Sequence, residues 1–272
     1  MTARNRGGSK PCGDGRYFTP DALAVAHVDL LPPIPDGAEV LEAHVGGGAY
    51  VRALIERRRR TGERFRILVM DRDPRAAGLQ AIEPEHGDLA AIGDFLSLAD
   101  WPLDWPDRVW GVVGNPPYSV RVPHLDSHGN QIRYPPGHKR AGQLRERVCE
   151  VGTDHTLRAL ELAIHVVSYL LRAGFAGGIE RYGRLFSGGR LASRLTVVPR
   201  PSFTGGGSDA TEFETFTFRP LGESGDCNGG WLIWQPERRK HGARRAGASR
   251  RGARSTARGR RGGGDPAGAG TG

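Results

Sequence analysis

VLEAHVGGGAY, residues 40–50, decides how the rest of the chain is read. A short apolar run ends near a carboxylate, Glu42, and passes into Gly46, Gly47 and Gly48 before residues able to start a helix. Strand, tight turn and helix follow from that order. Glycines let the backbone turn sharply and approach a ligand closely, and the first turn of the next helix carries N–H groups without internal partners. The pattern predicts a strand over 39–45, entered through the Asp36-Gly37 turn, and a helix from Ala49 with Val51, Leu54 and Ile55 on one face. Arg57 to Arg60 would complement the negative end of that helix, and Gly62 would stop it.

The same alternation extends in both directions. Upstream, YFTPDALA offers Thr19 as N-cap, Pro20 at the first helical position and Asp21 in the first turn, so a helix is predicted to about residue 31, before Pro32-Pro33. Downstream, 66–70 reads as a strand closed by Asp71, with a short helix after Pro74 and a weaker third unit ending at GDFL, 93–96. Residues 108–113 read as a fourth strand. The span 119–152, rich in His, Arg and Pro, breaks the pattern and reads as a long loop. Helix returns near Asp154, followed by a fifth strand over 166–171, helix over 178–186, and strands over 195–199, 212–218 and 231–234. Short β-branched runs alternating with helices predict a Rossmann-like, doubly wound, mostly parallel α/β sheet.

The fourth strand runs into VVGNPPYSV, 112–120. Pro116 and Pro117 donate no N–H and fix φ, so the segment is stiff and cannot extend a sheet. An amide oxygen on Asn115 and the carbonyl of Pro116 can both accept from one exocyclic NH₂, and Tyr118 offers a π-face to a planar base. Those are the demands of alkylating an aromatic amine, whose lone pair is delocalised into its ring. Taken alone, NPPY is equally a rigid turn at a strand end. Its place after the fourth strand, with Asp71 23 positions beyond Gly48 where an acid takes ribose hydroxyls in dinucleotide folds, favours the chemical reading.

Charge is unevenly distributed. The chain of 272 residues carries a formal +9, but 238–272 holds eleven Lys/Arg against Asp265, so the remainder is near −1. That Arg/Gly-rich segment has no apolar periodicity and reads as a disordered tail, 237–272, able to hold phosphate backbones; 1–14 reads as a flexible N-terminus. Only three of the 39 basic residues are lysines, which equally fits an arginine-biased composition. No run is long and apolar enough for a transmembrane helix, and Cys12, Cys149 and Cys227 form no CxxC, so a reducing cytoplasm is expected and no cysteine metal site. His124, His128, His138 and His155 have no metal-ligand spacing.

With these motifs in order, residues 15–219 resemble the S-adenosylmethionine-dependent DNA adenine N6-methyltransferases of NPPY type, most of all small phage and prophage members. NPPY, 115–118, matches the catalytic motif; VLEAHVGGGAY matches the cofactor loop in its Glu variant; VMDRDP, 69–74, GDFLSL, 93–98, and YFTP, 17–20, match the ribose, adenine and methionine segments. The resemblance implies a single methyltransferase domain over 15–236 using S-adenosyl-L-methionine. It implies that Glu42 takes the methionine amino group and Asp71 the ribose. Gly46 and Gly48 form the cofactor turn, Asp94 and Phe95 hold the cofactor adenine, and Phe18 and Thr19 close the methionine side. Asp88, in the similar HGDL, is the second candidate for the adenine contact. Asn115, Pro116, Pro117 and Tyr118 would carry catalysis, with Phe203 stacking on the flipped target base opposite Tyr118. No metal is implied. DNA is the expected partner, gripped in part by the 119–152 insert, through Arg121, Arg133, Lys139, Arg140, Arg145, Arg147 and Tyr134, and by the 204–211 loop.

Three departures from the motif pattern stand out. Ala43 replaces a common Pro, the span after NPPY is longer than in the compact members, and no glycine marks the turn near His165. NPPY also occurs in methyltransferases acting on RNA adenine or on glutamine side chains of release factors. A non-catalytic DNA-binding protein on the same scaffold is a further alternative.

Overall fold

The computed structural model describes residues 18–123, 126–128, 130–201, 212–220 and 228–233. The chain divides into two units, Met1–Glu237 and Arg238–Gly272, and every described residue belongs to the first. The expected flexible N-terminus, the Arg/Gly tail, Phe203 and the 204–211 loop lie outside the described residues.

In chain order the elements are α1 (Asp21–Val28), β1 (Glu39–Glu42), α2 (Ala49–Thr61), β2 (Arg66–Asp71), β3 (Leu89–Ile92) and β4 (Val109–Gly114). Then come β5 (Ser119–Pro123), β6 (Glu146–Glu150), α3 (Gly152–Leu162), β7 (Ala163–Arg172), β8 (Leu191–Val198), β9 (Phe213–Phe218) and β10 (Asn228–Ile233). Eight strands form one sheet in the order β10-β8-β9-β7-β4-β1-β2-β3. β3, β2, β1, β4 and β7 run parallel. β9 is antiparallel to both β7 and β8, and β10 pairs parallel with β8 at the edge. This is the Rossmann-like, doubly wound arrangement the sequence predicted.

The central strands are buried on both faces, which is why they read as continuous apolar runs rather than alternations. Val40, Ile67, Val69 and Val113 face one core with α1 and α2, through Ala24, Val28, Val51 and Leu54. Leu41, Leu68, Met70 and Val112 face the other, with Ala159, Leu160 and Leu162 of α3 and Leu185 of the helical turns at 179–186. After β3 the chain returns to the far side of β1 to form β4. The topological switch point therefore lies between β1 and β4, at their C-terminal ends, where open α/β sheets bind ligands.

Two local expectations are corrected, and one departure is explained. Residues 119–152 are not a featureless loop: β5 and β6 pair as an antiparallel ribbon, and Ile132–Arg145 and Tyr134–Gln143 backbone bonds continue the pairing outward. SVRVP and ERVCE are too short, and too embedded in His and Pro, for their period-2 pattern to stand out. Arg57 and Arg58 do not simply answer the helix dipole. Both are buried, Arg57 donating to Glu63 and to the carbonyls of Val28, Leu31 and Pro32, and Arg58 to Asp88, Glu83 and the Phe65 carbonyl. The missing glycine near His165 has a simple cause. α3 enters β7 at Ala163 with φ −74° and ψ 144°, a backbone open to any L-residue. Among the described residues no helix is long and apolar enough to cross a membrane.

Candidate active site

Gly48 caps α2 with φ +80°. A side chain there would be strained, and its Cβ would lie 3.0 Å from the Gly78 Cα, so the loop needs glycine twice over. Gly46 N donates to Asp71 Oδ2 at 2.9 Å, while Asp71 Oδ1 accepts from Asp73 N. The acid at the end of β2 thus ties the glycine loop to the neighbouring strand and keeps further lone pairs open for hydroxyl donors.

The loop, the entry to α1 and the end of β4 enclose a cleft of about 160 Å³. Of the residues singled out in the sequence, Phe18, Thr19, Gly46 and Asn115 line it; His44, Tyr50 and Arg52 join them. Asn115 is fixed at both ends: its Nδ2 donates to Thr19 Oγ1 at 3.0 Å, and its Oδ1 accepts from the Tyr118 hydroxyl. One lone pair of Oδ1 remains for an incoming N–H. Residues 96 positions apart thus form one rigid acceptor because the segment before α1 meets the segment that leaves β4.

Tyr118 packs with its ring centroid 6.0 Å from that of Phe213 and 5.1 Å from the Arg172 guanidinium. Phe213, at the start of β9, is the aromatic beside Tyr118 among the described residues, in the neighbourhood assigned from sequence to Phe203.

Glu42 lies beneath the cleft rather than in its wall. It is 1% exposed, its Oε1 accepts from His44 N at 3.1 Å, and its Oε2 has no hydrogen-bond partner among the described residues. Gly114, the residue before Asn115, packs directly on it, since a Cβ there would sit 2.5 Å from the carboxylate oxygens. Burial, with the nearby Asp71 charge adding to it against the His44 N–H bond, pushes the Glu42 carboxyl up to about 8. The folded protein therefore holds a proton that the unfolded chain releases near 4.5. Stability from this group is complete below the unfolded value and falls as pH rises to about 8, then levels off. Glu42→Gln keeps the shape and removes the titration. Its melting temperature relative to the parent chain is expected to rise steadily between pH 5 and 8 and stay constant above; a flat difference would contradict the buried-carboxyl assignment.

Asp94 and Phe95 stand further along the sheet edge. Asp94 Oδ1 accepts from Leu96 N, and its own N–H donates to Asp100, so the carboxylate shapes the turn after β3. Phe95 points inward, 3% exposed, edge-on to His44 at 5.4 Å and stacked on His155 at 6.0 Å. Its ring therefore reaches the cleft through His44. Asp88 is excluded as an alternative to Asp94. It precedes β3, at the opposite edge of the sheet, with a fully buried carboxylate bonded to Arg58, Ile67 N and Glu83 N.

Sequence reading missed the histidines. His44 Nε2 and His155 Nδ1 share a hydrogen bond of 2.8 Å, and burial drives the pKa of each down, that of His155 to about 4, so the pair is neutral. His44 Nδ1 has no partner among the described residues. A second buried chain, Tyr50–His27–Ser168–Thr217, joins α2, α1, β7 and β9 with separations of 2.7 to 2.9 Å. It locks α1, and with it Thr19, against the sheet. Contacts spanning 111 and 141 positions leave no local signature.

No protein-family model matches the chain. No curated protein matches it in sequence. Among solved structures it is similar to the methyltransferase subunit of a type I restriction-modification system from Streptococcus thermophilus, at 19% identity and TM-score 0.53, covering 76% of this chain and 45% of that one. It is also similar to a Listeria monocytogenes protein described as a class I S-adenosylmethionine-dependent methyltransferase, at 9% identity and TM-score 0.52, covering 79% and 64%. The chain thus spans less than two thirds of the length of either. At such identities the likeness fixes the architecture: the fold is the Rossmann-like fold of class I methyltransferases.

Proposed function

We propose that the chain transfers a methyl group from S-adenosylmethionine to the N6 amine of adenine in DNA. The observation that carries the reading is the Asn115 carboxamide, clamped by Thr19 and Tyr118 at the mouth of a glycine-loop cleft on the topological switch point. The residues fit the cofactor. Glu42 is a buried carboxyl whose Oε2 has no partner among the described residues, so an ammonium beside it would favour its ionised form and be held by it, and Asp71 retains lone pairs for ribose hydroxyls. The enclosed volume is below the roughly 300 Å³ of pockets that surround a whole small ligand, so it suits the amino-acid end, and Asp71 and Asp94 would hold the nucleoside outside it.

When bound, the cofactor supplies an electrophilic methyl group on a sulfonium. The protein's part is orientation and electrostatics. Asn115 Oδ1 and the Pro116 carbonyl would accept hydrogen bonds from the two amine N–H groups, which draws the nitrogen towards sp³ and localises its lone pair; as the nitrogen takes the methyl group from sulfur, the S–CH₃ bond breaks and one amine proton is lost to solvent. Pro116 and Pro117 hold those acceptors rigid. Tyr118 gives the base a face to stack on, in exchange for its present contact with Arg172. Paired adenine cannot reach this lip, so the base is extruded from the duplex.

The ribbon that follows NPPY supports a nucleic-acid substrate. Arg133, Lys139 and Arg140 are exposed on it, and Tyr134 stacks on His138 at 4.3 Å with Arg145 over its ring. Basic groups around an aromatic suit phosphate contacts and insertion beside a base. The arginine-rich 238–272 segment would add sequence-independent affinity. Incubation with labelled cofactor and duplex DNA, RNA or release factor tests the assignment. Label in DNA adenine at N6 is expected. Label confined to RNA or to a glutamine side chain would replace the substrate, and label in none would leave the DNA-binding scaffold reading. Modified-base sequencing of DNA from cells expressing the chain adds the sequence context.

A further inference from the structure

Among the described residues lining the cleft, Arg52 alone carries a charge at neutral pH. It projects from the first turn of α2. Its Nε and Nη2 donate to Asp21 Oδ2 and Oδ1 at 3.1 and 2.5 Å, and its Nη1 to the Gly47 carbonyl at 2.8 Å. These three bonds leave two guanidinium N–H groups for another acceptor. Both members of the Arg52–Asp21 pair are about half exposed, so the pair contributes little to stability. Its geometry is nonetheless well defined: a two-point clamp from α1 and a third bond from the glycine loop hold the guanidinium at the cleft wall. The free N–H groups of the first turn of α2 stand beside it, adding positive potential. Among the described residues no carboxylate lines the cleft itself; Glu42 is buried and Asp21 is not part of the lining.

The cleft therefore presents two different partners, because an ammonium brought beside the buried, unpartnered Glu42 carboxyl would favour its ionised form while Arg52 is already cationic. A buried carboxyl sits beneath one part of its wall and a positioned guanidinium holds another. That polarity matches a zwitterion with its ammonium towards Glu42 and its carboxylate towards α2. We propose that Arg52 binds the carboxylate of the cofactor's amino-acid end, and that Asp21 is a positioning residue that keeps the guanidinium in place. The inference rests on the cofactor assignment above and adds its specificity: the site selects ligands that carry the carboxylate.

The test compares two ligands on the full chain by calorimetry: S-adenosylmethionine, and its decarboxylated analogue, which keeps the sulfonium, the nucleoside and the amine. Arg52→Ala is expected to weaken S-adenosylmethionine binding about 10- to 100-fold, the range of a lost charge-assisted contact, and to change affinity for the analogue less than about twofold. Arg52→Lys should recover part of the loss. Asp21→Asn should weaken S-adenosylmethionine several-fold and spare the analogue. Equal losses for both ligands would show that Arg52 only shapes the loop through Gly47, and unchanged S-adenosylmethionine binding would show no role; either overturns the proposal. A parent chain that binds neither ligand would instead overturn the cofactor assignment, and this inference with it.

Discussion

Asn115→Ala is expected to reduce methyl transfer to DNA by about 10²- to 10³-fold, the effect of deleting one preorganised polar group at a reacting centre, while changing cofactor affinity by less than about twofold. The split follows from position. Asn115 lines the cleft, but the groups suited to the cofactor are elsewhere: Glu42 at the end of β1, Asp71 at the end of β2, and the glycine loop. Alanine removes the proposed acceptor for the amine and leaves those in place. It also releases Thr19 and the Tyr118 hydroxyl, which keeps the Leu170 carbonyl as a partner at 3.2 Å, so the surrounding wall has a reason to stay. Single-turnover transfer with labelled cofactor gives the rate and calorimetry the affinity. Parallel loss of both would mean that Asn115 organises the cofactor cleft rather than the amine. Thr19→Val separates orientation from chemistry: it removes the partner of Asn115 Nδ2 but keeps Oδ1, and a smaller, about tenfold, loss of rate is expected.

The legibility of this site in the sequence follows the range of the interactions that build it. β1, its glycine loop and α2 are contiguous, and each makes its case locally: an apolar run, a conformation only glycine adopts easily, and an amphipathic helix. NPPY is legible for the same reason, since two prolines dictate a rigid turn wherever they occur. Asp71 could be placed because strand–helix–strand units fix how far along the chain a neighbouring strand end falls. The His44–His155 pair and the chain from Tyr50 to Thr217 could not, because they exist only when distant elements meet. Arg52 was hidden differently. It sits in an arginine-rich helix, where nothing local separates a guanidinium aimed at a cleft from those facing solvent or buried. β3 shows the limit for strands: LAAI carries one β-branched residue and alternates half-buried with exposed positions, so little marks it against flanking turns.

Asp88 illustrates how spacing alone misleads, and it supports the second large effect. HGDL and GDFL each offer an acid after a glycine, yet they bracket β3, which places one carboxylate at each edge of the sheet. Asp88 accepts from both terminal nitrogens of Arg58, at 2.8 and 2.9 Å, and from two backbone N–H groups, with its side chain 0% exposed. Asp88→Ala leaves Arg58 buried with only Glu83 as counter-charge and strands the N–H groups of Ile67 and Glu83. Breaking a buried pair from one side costs about 3–5 kcal/mol, a large part of a domain's total stability. Urea unfolding at low temperature is expected to show that loss as a lower midpoint with little change in slope. Replacing both partners, as Arg58→Met with Asp88→Leu, should recover much of it, because no charge is then left uncompensated. Cofactor affinity of the folded fraction should be unchanged in Asp88→Ala and reduced in Asp94→Ala, since only Asp94 lies at the ligand edge. A loss under about 1 kcal/mol, or weaker cofactor binding in Asp88→Ala at a concentration where it is folded, would reverse the two assignments: the acid before β3 would then belong to the site, and the buried pair would not be what holds α2 to the entry of β3.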